Sequence, residues 1–321
     1  MNTVVVTGAA GYIGGQISLQ LNDAGYKVIG IDTKDVPAQL KTCFFRYFAQ
    51  DFASELGLGD IVWTGPDAII HCAGTSLVGP SIANPREYYN TNVVKTIQLL
   101  DTLLKHDLKP RIIFSSSAAT YGEPIMSPCH EVDPCVPVSP YGESKLMVEF
   151  VLNSYARAYG LPSVAFRYFN ACGADSKGRH GQEPGATHII PRVLESIRDA
   201  REFTLYGTQY PTDDGTCVRD YVHVEDIAAA HILALDPKVE SGVYNLGTKE
   251  GSSNQQIIDL AQKITSDKLN VVVGKQREGD PAVLTANADK FTRATGWKPK
   301  HDISAMIQHA WEWHVRQNKT I

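Results

Sequence analysis

Residues 7–14 read Thr-Gly-Ala-Ala-Gly-Tyr-Ile-Gly and stand between a β-branched run at residues 4–6 and a helical pattern over residues 12–24. Glycines at such a junction meet three needs: a tight turn, close approach of the backbone to a pyrophosphate, and packing of the helix on the strand. The free amides at the helix N-terminus then face the phosphates. This stretch predicts a dinucleotide-binding unit whose cofactor contacts are Gly8, Gly11, Tyr12, Ile13 and Gly14.

Strand and helix patterns alternate outward from this unit. A β-branched run over residues 28–31 follows the first helix, which is expected to end at Gly25. Further strands are predicted over residues 68–71, 111–115 and 164–169, and helices over 87–104 and 140–159. Strands separated by helix-length segments predict an α/β fold with a Rossmann-type, doubly wound parallel sheet.

The pattern changes after Asn170, where loops rich in glycine, proline and aspartate are typical of segments that carry a site. Strands are predicted over residues 218–223, 243–247 and 270–273, and helices over 254–265 and 303–317. We therefore expect a dinucleotide-binding domain over residues 1–170 and a smaller C-terminal α/β substrate domain over residues 171–321. A segment near residues 222–247 is expected to return to the large sheet.

Composition narrows the range of partners. The chain has 321 residues, of which 43% are hydrophobic and 20% charged, and its formal net charge is -5. Nucleic acids and anionic membranes attract basic surfaces, so neither is expected to bind. No apolar run approaches membrane-spanning length. A small molecule is the expected partner.

The six cysteines indicate a reducing compartment, because they show no CxxC pair and no regular disulfide spacing. The chain also begins without a secretory signal pattern, and we expect a cytoplasmic protein. Cys129, His130 and Cys135 invite a metal interpretation, but no second ligand pair follows at zinc-finger spacing. The alternative is a proline-rich surface loop, and no metal is predicted.

Asp32 ends the second predicted strand, where a carboxylate can accept hydrogen bonds from the adenosine ribose and repel a 2′-phosphate. This position favours NAD over NADP. Alternatively, Asp32 only begins a turn, and Lys34 could accept a phosphate. The small residues Cys72, Ala73 and Gly74 follow the strand over residues 68–71 and would let the cofactor cross the strand ends, although Gly74 could instead be a turn glycine.

Tyr141 and Lys145 are four residues apart on a predicted helix, so their side chains share one face. A tyrosine with its ordinary pKa of about 10 is a poor base at neutral pH and needs positive charge beside it. Lys145 and a bound nicotinamide ring would supply that charge. Such pairs are common on helix surfaces, but here a strand also ends in Ser115-Ser116-Ser117 and brings a hydroxyl to the same sheet edge.

Together these motifs resemble the UDP-glucose 4-epimerase family of extended short-chain dehydrogenases/reductases. The resemblance covers nearly the whole chain and rests on residues 7–14, 114–122, 139–145, 167–170, 218–223 and 277–280. It implies that NAD is the cofactor and that Ser117, Tyr141 and Lys145 are catalytic. It implies cofactor contacts for the glycine loop, Asp32, Asp51, Phe52, Cys72, Ala73, Gly74, Asn92, Ser115, Tyr141, Lys145 and Tyr168.

The same resemblance implies a UDP-sugar site. Its expected residues are Ser117, Tyr141, Asn170, His188, Tyr206, Arg219, Arg277, Asp280 and Leu284. Guanidinium groups make paired hydrogen bonds to phosphate oxygens, which suits Arg219 and Arg277 at the diphosphate. Alternatively these arginines form surface ion pairs, for Arg219 with a nearby aspartate. His188 could equally be structural, and Leu284, at the family's size-determining position, could be a core residue.

The implied reaction is NAD-dependent epimerisation at C4 of a UDP-sugar through a transient 4-keto sugar, with UDP-glucose and UDP-galactose as the expected pair. A related 4,6-dehydratase would carry Asp-Glu where this chain has Ala118-Ala119. A reductase of the same family and a noncatalytic NAD-binding scaffold are further alternatives. The resemblance also implies a homodimer that pairs through the helices over residues 87–104 and 140–159.

Overall fold

The computed structural model describes residues 2–276 and 280–317, apart from the side chain of Gln317. Its strands are β1 Thr3–Thr7, β2 Lys27–Asp32, β3 Arg46–Ala49, β4 Ala68–His71, β5 Arg111–Ser117, β6 Ser163–Tyr168, β7 Asn170–Cys172, β8 Glu202–Tyr206, β9 Val218–His223, β10 Gly242–Leu246, β11 Gly251–Ser253, β12 Asn270–Gly274 and β13 Val283–Leu284. Its helices are α1 Tyr12–Asp23, α2 Glu55–Thr64, α3 Val78–Ala83, α4 Pro85–Tyr88, α5 Lys95–Lys105, α6 Pro140–Tyr159, α7 Ile189–Arg198, α8 Val224–Leu233, α9 Asn254–Thr265, α10 Asp289–Thr295 and α11 Ile303–Gln317.

Seven strands form one large sheet in the order β10-β6-β5-β4-β1-β2-β3. Every neighbouring pair is parallel, and in the centre Val4 pairs with Val28 of β2 and with Ala68 of β4. The order reverses between β1 and β4, which is the place where doubly wound sheets bind their ligands. The prediction of a Rossmann-type α/β fold is confirmed.

Both faces of the large sheet are covered, which explains the unbroken apolar run in β1. Val4 and Val6 pack into one hydrophobic cluster with residues of α1, α8 and α10, whereas Val5 packs into another with residues of α2, α5 and α6. Alternate side chains of a strand point to opposite faces, so a strand covered on both sides needs apolar residues throughout. The carboxyl ends of the strands remain open for a site.

The remaining strands form smaller sheets beside that edge. β9 pairs with β11 in antiparallel and with β13 and β7 in parallel orientation, and β8 pairs with β12. Helices α7, α9 and α11 share a third hydrophobic cluster with these strands. β10 then pairs with β6, so the chain returns to the edge of the large sheet.

One helix that the sequence predicts as continuous is interrupted in the structure. The segment predicted over residues 87–104 consists of α4, a π-helical turn at Tyr89–Val94, and α5. The wider turn places Asn92 inside, where it is buried. Such π-turns are frequent at functional sites because they redirect side chains within a helix. Among the helices of the described residues, none combines the length and the apolar character that crossing a membrane requires.

Candidate active site

The glycine loop leaves no space for a side chain at Gly8 or Gly14. A Cβ atom on Gly14 would lie 2.2 Å from the Gly8 oxygen, and one on Gly8, whose φ is +70°, would lie 2.8 Å from the amide nitrogen of Ala73. Helix α1 begins after Gly11 without a side-chain cap, so its first amides are available to an anion. This cradle of bare backbone at a helix N-terminus fits a dinucleotide pyrophosphate.

The carboxylates predicted at the adenosine end are held by backbone amides. Asp32 accepts hydrogen bonds from the amides of Ala10 at 3.1 Å and Lys34 at 3.0 Å, and therefore faces the glycine loop. Asp51 accepts from the amide of Ala53 at 3.0 Å and forms an ion pair with Lys95. The neighbouring Phe52 is buried with its ring edge against His71, at 5.0 Å between centroids. Both segments follow strands on the same side of the sheet.

The segment after β4 connects the glycine loop to helix α6. The amide of Ala73 donates to the Thr7 hydroxyl at 3.2 Å, and the Thr75 amide donates to the side-chain oxygen of Asn92 at 2.9 Å. Asn92 in turn donates to the Ser144 hydroxyl at 2.9 Å. Asn92 thus holds the loop at Gly74 against the helix that carries Tyr141.

Ser117, Tyr141 and Lys145 converge at the carboxyl end of β5. Tyr141 is only 8% exposed, and its phenol lies close enough to the Ser117 side chain for this side chain to lower the pKa of the phenol. The Nζ atom of Lys145 lies 5.9 Å from the centroid of the Tyr141 ring and donates to the backbone oxygen of Ser115 at 2.8 Å. Local sequence explains this placement, because Ser139 caps α6 by accepting from the Gly142 amide and Pro140 follows as its first residue.

Burial is the largest influence on the pKa values of Tyr141 and Lys145. It raises the pKa of the Tyr141 phenol, while the hydrogen bond with Ser117 acts in the opposite direction. Burial also lowers the pKa of the Lys145 ammonium to about 8, against the effects of nearby Cys72 and Glu149. In the protein alone the phenol is therefore protonated at neutral pH. A base at this position requires further positive charge beside the ring.

The three serines that end β5 have different partners. The Ser115 hydroxyl donates to the Cys72 sulfur at 3.2 Å and lies 3.3 Å from a ring nitrogen of His231. Ser116 donates to the carboxylate of buried Glu149. Of the three, Ser117 is the one whose side chain meets the Tyr141 phenol. Tyr168, which ends β6, lies close enough to hydrogen-bond Ser115, and burial raises the pKa of its phenol well above the ordinary value.

The predicted substrate residues come from several elements. Asn170 in β7 donates to the backbone oxygen of Asp220 at 2.9 Å. Arg219 in β9 forms an ion pair with Asp280, a residue 61 positions later in the chain. Arg219 thus forms an ion pair, as the alternative interpretation allowed, but its partner is Asp280 and not an aspartate close in sequence. Both partners are predicted substrate residues. Arg277 lies outside the described residues.

The other predicted substrate residues lie at element ends. His188 precedes α7 and makes no side-chain cap, and burial lowers the pKa of its imidazole. Tyr206 ends β8, and its ring lies close to Gly274 in β12. Leu284 in β13 pairs with Arg219 and packs against the cluster that contains Ala118, Tyr121, Cys129, Phe169 and Ala286.

Sequence reasoning missed Glu149, which the structure places one helical turn beyond Lys145. Its carboxylate accepts from Ser116 and makes a paired salt bridge with Arg167, and both charged side chains are about 5% exposed. A signal was available, because Tyr141, Lys145 and Glu149 are spaced at i, i+4 and i+8 and therefore share one helix face. A glutamate is ordinary on a solvent face, so the spacing alone did not distinguish it.

Three histidines cluster away from this centre. His223, His301 and His309 bring one ring nitrogen each within 4.8 Å of one another. Both nitrogens of His301 face carboxylates, at 3.3 Å from Glu225 and 3.0 Å from Asp226. These contacts raise the pKa of His301 to about 9, so that its ring is an imidazolium at neutral pH. Both ring nitrogens of His301 are thus engaged by carboxylates, and the ring acts here as an ion-pair partner.

Comparisons with known proteins agree with this geometry. Residues 4–247 match the family model described as the NAD dependent epimerase/dehydratase family. The chain is 41% identical over 318 residues to the UDP-glucose 4-epimerase of Halalkalibacterium halodurans, which covers 97% of this chain and 95% of that protein.

Two solved structures are similar throughout. The UDP-glucose 4-epimerase of Stenotrophomonas maltophila with bound NAD and formylated UDP-arabinopyranose matches with a TM-score of 0.94, 30% identity and full coverage of both chains. The UDP-glucose 4-epimerase of Bifidobacterium longum in complex with NAD+ and UDP matches with a TM-score of 0.90 and 32% identity, again over the whole of both chains. Sequence, fold and site thus agree that the chain belongs to the NAD dependent epimerase/dehydratase family.

Proposed function

We propose that this protein is an NAD-dependent epimerase that inverts C4 of a UDP-linked sugar by way of a transient 4-keto sugar. One observation carries the proposal: Ser117, Tyr141 and Lys145 converge at the strand edge that also carries the glycine loop. The relatives named above, which bear the name UDP-glucose 4-epimerase, support the same reaction.

NAD would be held by the backbone of the glycine loop at its pyrophosphate, by Asp32 at the adenosine ribose, and by Asp51 and Phe52 near the adenine. When bound, NAD supplies the hydride acceptor and a positively charged nicotinamide ring beside the phenol. Tyr12, Ile13, Cys72, Ala73, Gly74, Asn92, Ser115 and Tyr168 would complete this surface. The short distances within the loop, 2.8 Å or less for an added Cβ atom on Gly8 or Gly14, show that this turn and the start of α1 can pack so tightly only with glycine at both positions. The uncapped start of α1 supports the placement of the pyrophosphate.

Tyr141 would take the proton of the sugar 4-hydroxyl and later return it, and Ser117 would hold the same oxygen through its hydroxyl. Lys145 favours the phenolate through its charge, because a cation near a phenol lowers its pKa. Since burial raises the pKa of Tyr141 in the protein alone, the phenol stays protonated at neutral pH and becomes a base only beside added positive charge. This behaviour suits a group that must act in both directions.

Inversion also requires that the nucleotide stays bound while the sugar turns. We assign Asn170, Arg219 and Arg277 to the diphosphate, Tyr206 to the uracil, and His188 and Asp280 to the surrounding pocket. Arg219 is already paired with Asp280, which holds its guanidinium in a fixed orientation. A fixed guanidinium loses less freedom when it binds a phosphate. UDP-glucose and UDP-galactose are the proposed pair.

A dehydratase is the main alternative. Elimination of the C6 oxygen needs an acid and a base next to the catalytic serine, but Ala118 and Ala119 follow Ser117 and form a 3₁₀ turn that this serine caps. The short apolar side chains leave those two positions without a proton donor. A noncatalytic scaffold would have no need of the buried tyrosine and lysine.

We further propose a homodimer that pairs through α5 and α6. Val94, Met147 and Phe150 on and beside these helices are 44%, 42% and 62% exposed, an apolar surface that pairing would bury. We propose residues 1–170, joined by the returning segment near residues 222–247, as the NAD-binding domain, and the rest of residues 171–321 as the UDP-sugar domain. A cytoplasmic location is proposed because all six cysteines are unpaired.

The test is to incubate purified protein with a panel of UDP-sugars and to separate the C4 epimers. Turnover without added NAD and without release of NADH is expected, since each cycle returns the hydride. Stoichiometric NADH with a released keto product would make the protein a dehydrogenase. A product lacking one water would make it a dehydratase, and Tyr141→Phe is the matched inactive control.

A further inference from the structure

Helix α6 contacts each of the last three residues of β5. Lys145 donates to the backbone oxygen of Ser115, Ser116 donates to Glu149, and Ser117 meets Tyr141. Three helix residues spaced by one turn thus meet three consecutive residues of one strand. A shift of the helix along the strand would break all three contacts together.

The glutamate end of this series is the most firmly held. Glu149 accepts from Arg167 of β6 through Nε at 3.0 and 3.2 Å and through Nη2 at 2.6 Å, in addition to the bond from Ser116. The Arg167 guanidinium lies 4.8 Å from the centroid of the Tyr121 ring. Paired bonds between a guanidinium and a carboxylate fix direction as well as distance. Glu149 is thereby tied to two strands at once.

Close backbone packing fixes the opposite end of the same segment. A Cβ atom on Gly142 would lie 2.4 Å from the backbone oxygen of Ala119, so α6 approaches the turn after β5 without an intervening side chain. Tyr141 and Lys145 therefore lie on a stretch of helix fixed at Gly142 and again at Glu149. Positioning at this scale matters, because a 1 Å displacement of a reacting group costs about 10²-fold in rate.

We propose that Glu149 is a positioning residue for the epimerisation reaction, which sets the height of Tyr141 and Lys145 along β5. This inference rests on the proposed function, since turnover is one of its measurements. The hydrogen-bond partners of Glu149 are Ser116 and Arg167, so it would act on Tyr141 and Lys145 indirectly. It differs from a structural residue in carrying a negative charge one turn from the ammonium.

The charge effect has a defined sign. Burial lowers the pKa of Lys145 to about 8, and nearby Cys72 and Glu149 act in the opposite direction by raising it. Tyr141 on the same helix and His71 at the end of β4 are the other titratable groups near the ammonium. Removing the carboxylate charge lowers the pKa of Lys145, so the ammonium loses its proton at a lower pH.

The test measures kcat against pH for Glu149→Gln and for Ser116→Ala. In Glu149→Gln, kcat is expected to fall by about 10²-fold and the alkaline limb of the profile to move to lower pH. Ser116→Ala removes a hydrogen bond but keeps the charge, so its alkaline limb should coincide with that of the wild type. If Glu149→Gln lowers kcat but the alkaline limb of its pH profile coincides with that of the wild type, Glu149 has only a structural role and the proposal is wrong.

Chemical rescue provides a second measurement. Glu149 and Arg167 line a cavity of about 570 Å³ between α6 and β10, which leaves room for a small carboxylate. Added formate is expected to restore turnover of Glu149→Ala at least tenfold and to leave Ser116→Ala unchanged. Failure of formate to rescue a folded Glu149→Ala would overturn the proposal.

Measuring the folding and the NAD content of each variant separates a loss of positioning from a loss of structure or of cofactor. Glu149→Gln leaves the Arg167 charge unpaired, so Glu149→Gln/Arg167→Met is included as a variant without a buried unpaired charge. The bound NAD per protomer, measured after denaturation, should equal that of the wild type in every folded variant. If the wild type epimerises a UDP-sugar and the Glu149 variants do so at the same rate, this inference is overturned and the proposed function is not. No turnover of any UDP-sugar by the wild type would instead contradict the proposed function.

Discussion

The Nζ atom of Lys145 lies 2.8 Å from the backbone oxygen of Ser115, to which it donates a hydrogen bond. Ser115 is two residues before Ser117 on β5, and Lys145 is four residues after Tyr141 on α6. This one bond therefore joins the strand that carries the serine to the helix that carries the tyrosine. It also keeps the ammonium buried beside the phenol, where water screens its charge little.

Tyr141→Phe should bind NAD as the wild type does and lose turnover by about 10²- to 10⁴-fold, the usual contribution of a positioned acid–base group. The change removes the phenolic oxygen that meets Ser117 and leaves the ring in place against Tyr88, 6.4 Å away between centroids. Epimer separation gives the rate, and the NAD content of the purified variant is the control. Near-normal epimerisation would exclude Tyr141 as the base.

Asp32→Ala should weaken the preference for NAD over NADP. The carboxylate is oriented by the amides of Ala10 and Lys34 and is expected to accept from the ribose hydroxyls. Loss of a hydrogen bond to a charged group costs about 1.5–3 kcal/mol, roughly ten- to hundredfold in affinity. Reconstitution with each cofactor measures the change. An unaltered ratio of the two affinities would show that Asp32 only shapes the turn.

Leu284→Tyr should retain activity on UDP-glucose and UDP-galactose but lose it on the N-acetylated pair. Leu284 packs against the cluster that contains Ala118, the residue after Ser117, and an added phenol ring would fill space for an acetamido group. Rates on both substrate pairs are compared. Equal losses on both would indicate a packing role, and no loss on either would place the size limit elsewhere.

Stability should fall in alkaline solution through His301, whose pKa rises from 6.5 to about 9 beside Asp226 and Glu225. Because folding raises this pKa, the ion pairs contribute fully below pH 6.5 and their contribution declines between pH 6.5 and about 9. Above that range it is lost. Urea unfolding of the wild type and of His301→Gln at pH 6, 7.5 and 9 tests this.

The variant provides the control for that measurement. His301→Gln cannot titrate, so its unfolding free energy should change less than that of the wild type across the same range. Of the three values, the two proteins should differ most at pH 6, where the imidazolium is complete in the folded state and predominates in the unfolded state. A constant difference at all three values would mean that His301 contributes packing and not charge.

Short-range signals were enough to predict much of the fold. Helix α6 begins at Pro140 after the Ser139 cap and ends at Tyr159 before Gly160, whose φ is +68°, and the sequence predicted the same limits. Caps, prolines and glycines act on neighbouring residues, so their effect can be read from a few positions. The glycine loop and the Tyr141–Lys145 spacing are local for the same reason.

Other elements were not predicted, and α2 was among them although Ser54 caps its start and Gly65 follows its end. Helix α8 shows almost no polar stripe because it is buried between α1 and neighbouring elements, and α2 contains Gly57 and Gly59, which are poor helix formers. Strand β3 is short and only partly buried. Their formation depends on packing against the rest of the sheet, a contribution that a window of sequence does not contain.

The sequence by itself determined which chemical groups the protein has and which of them share an element. Only the tertiary structure decided which serine of β5 meets Tyr141, that Arg219 pairs with Asp280, and that Glu149 is buried against Arg167. The physical reason is that each of these contacts joins different elements. The relative position of those elements is set by the packing of the whole core, whereas helix limits and residue spacing are set by adjacent residues.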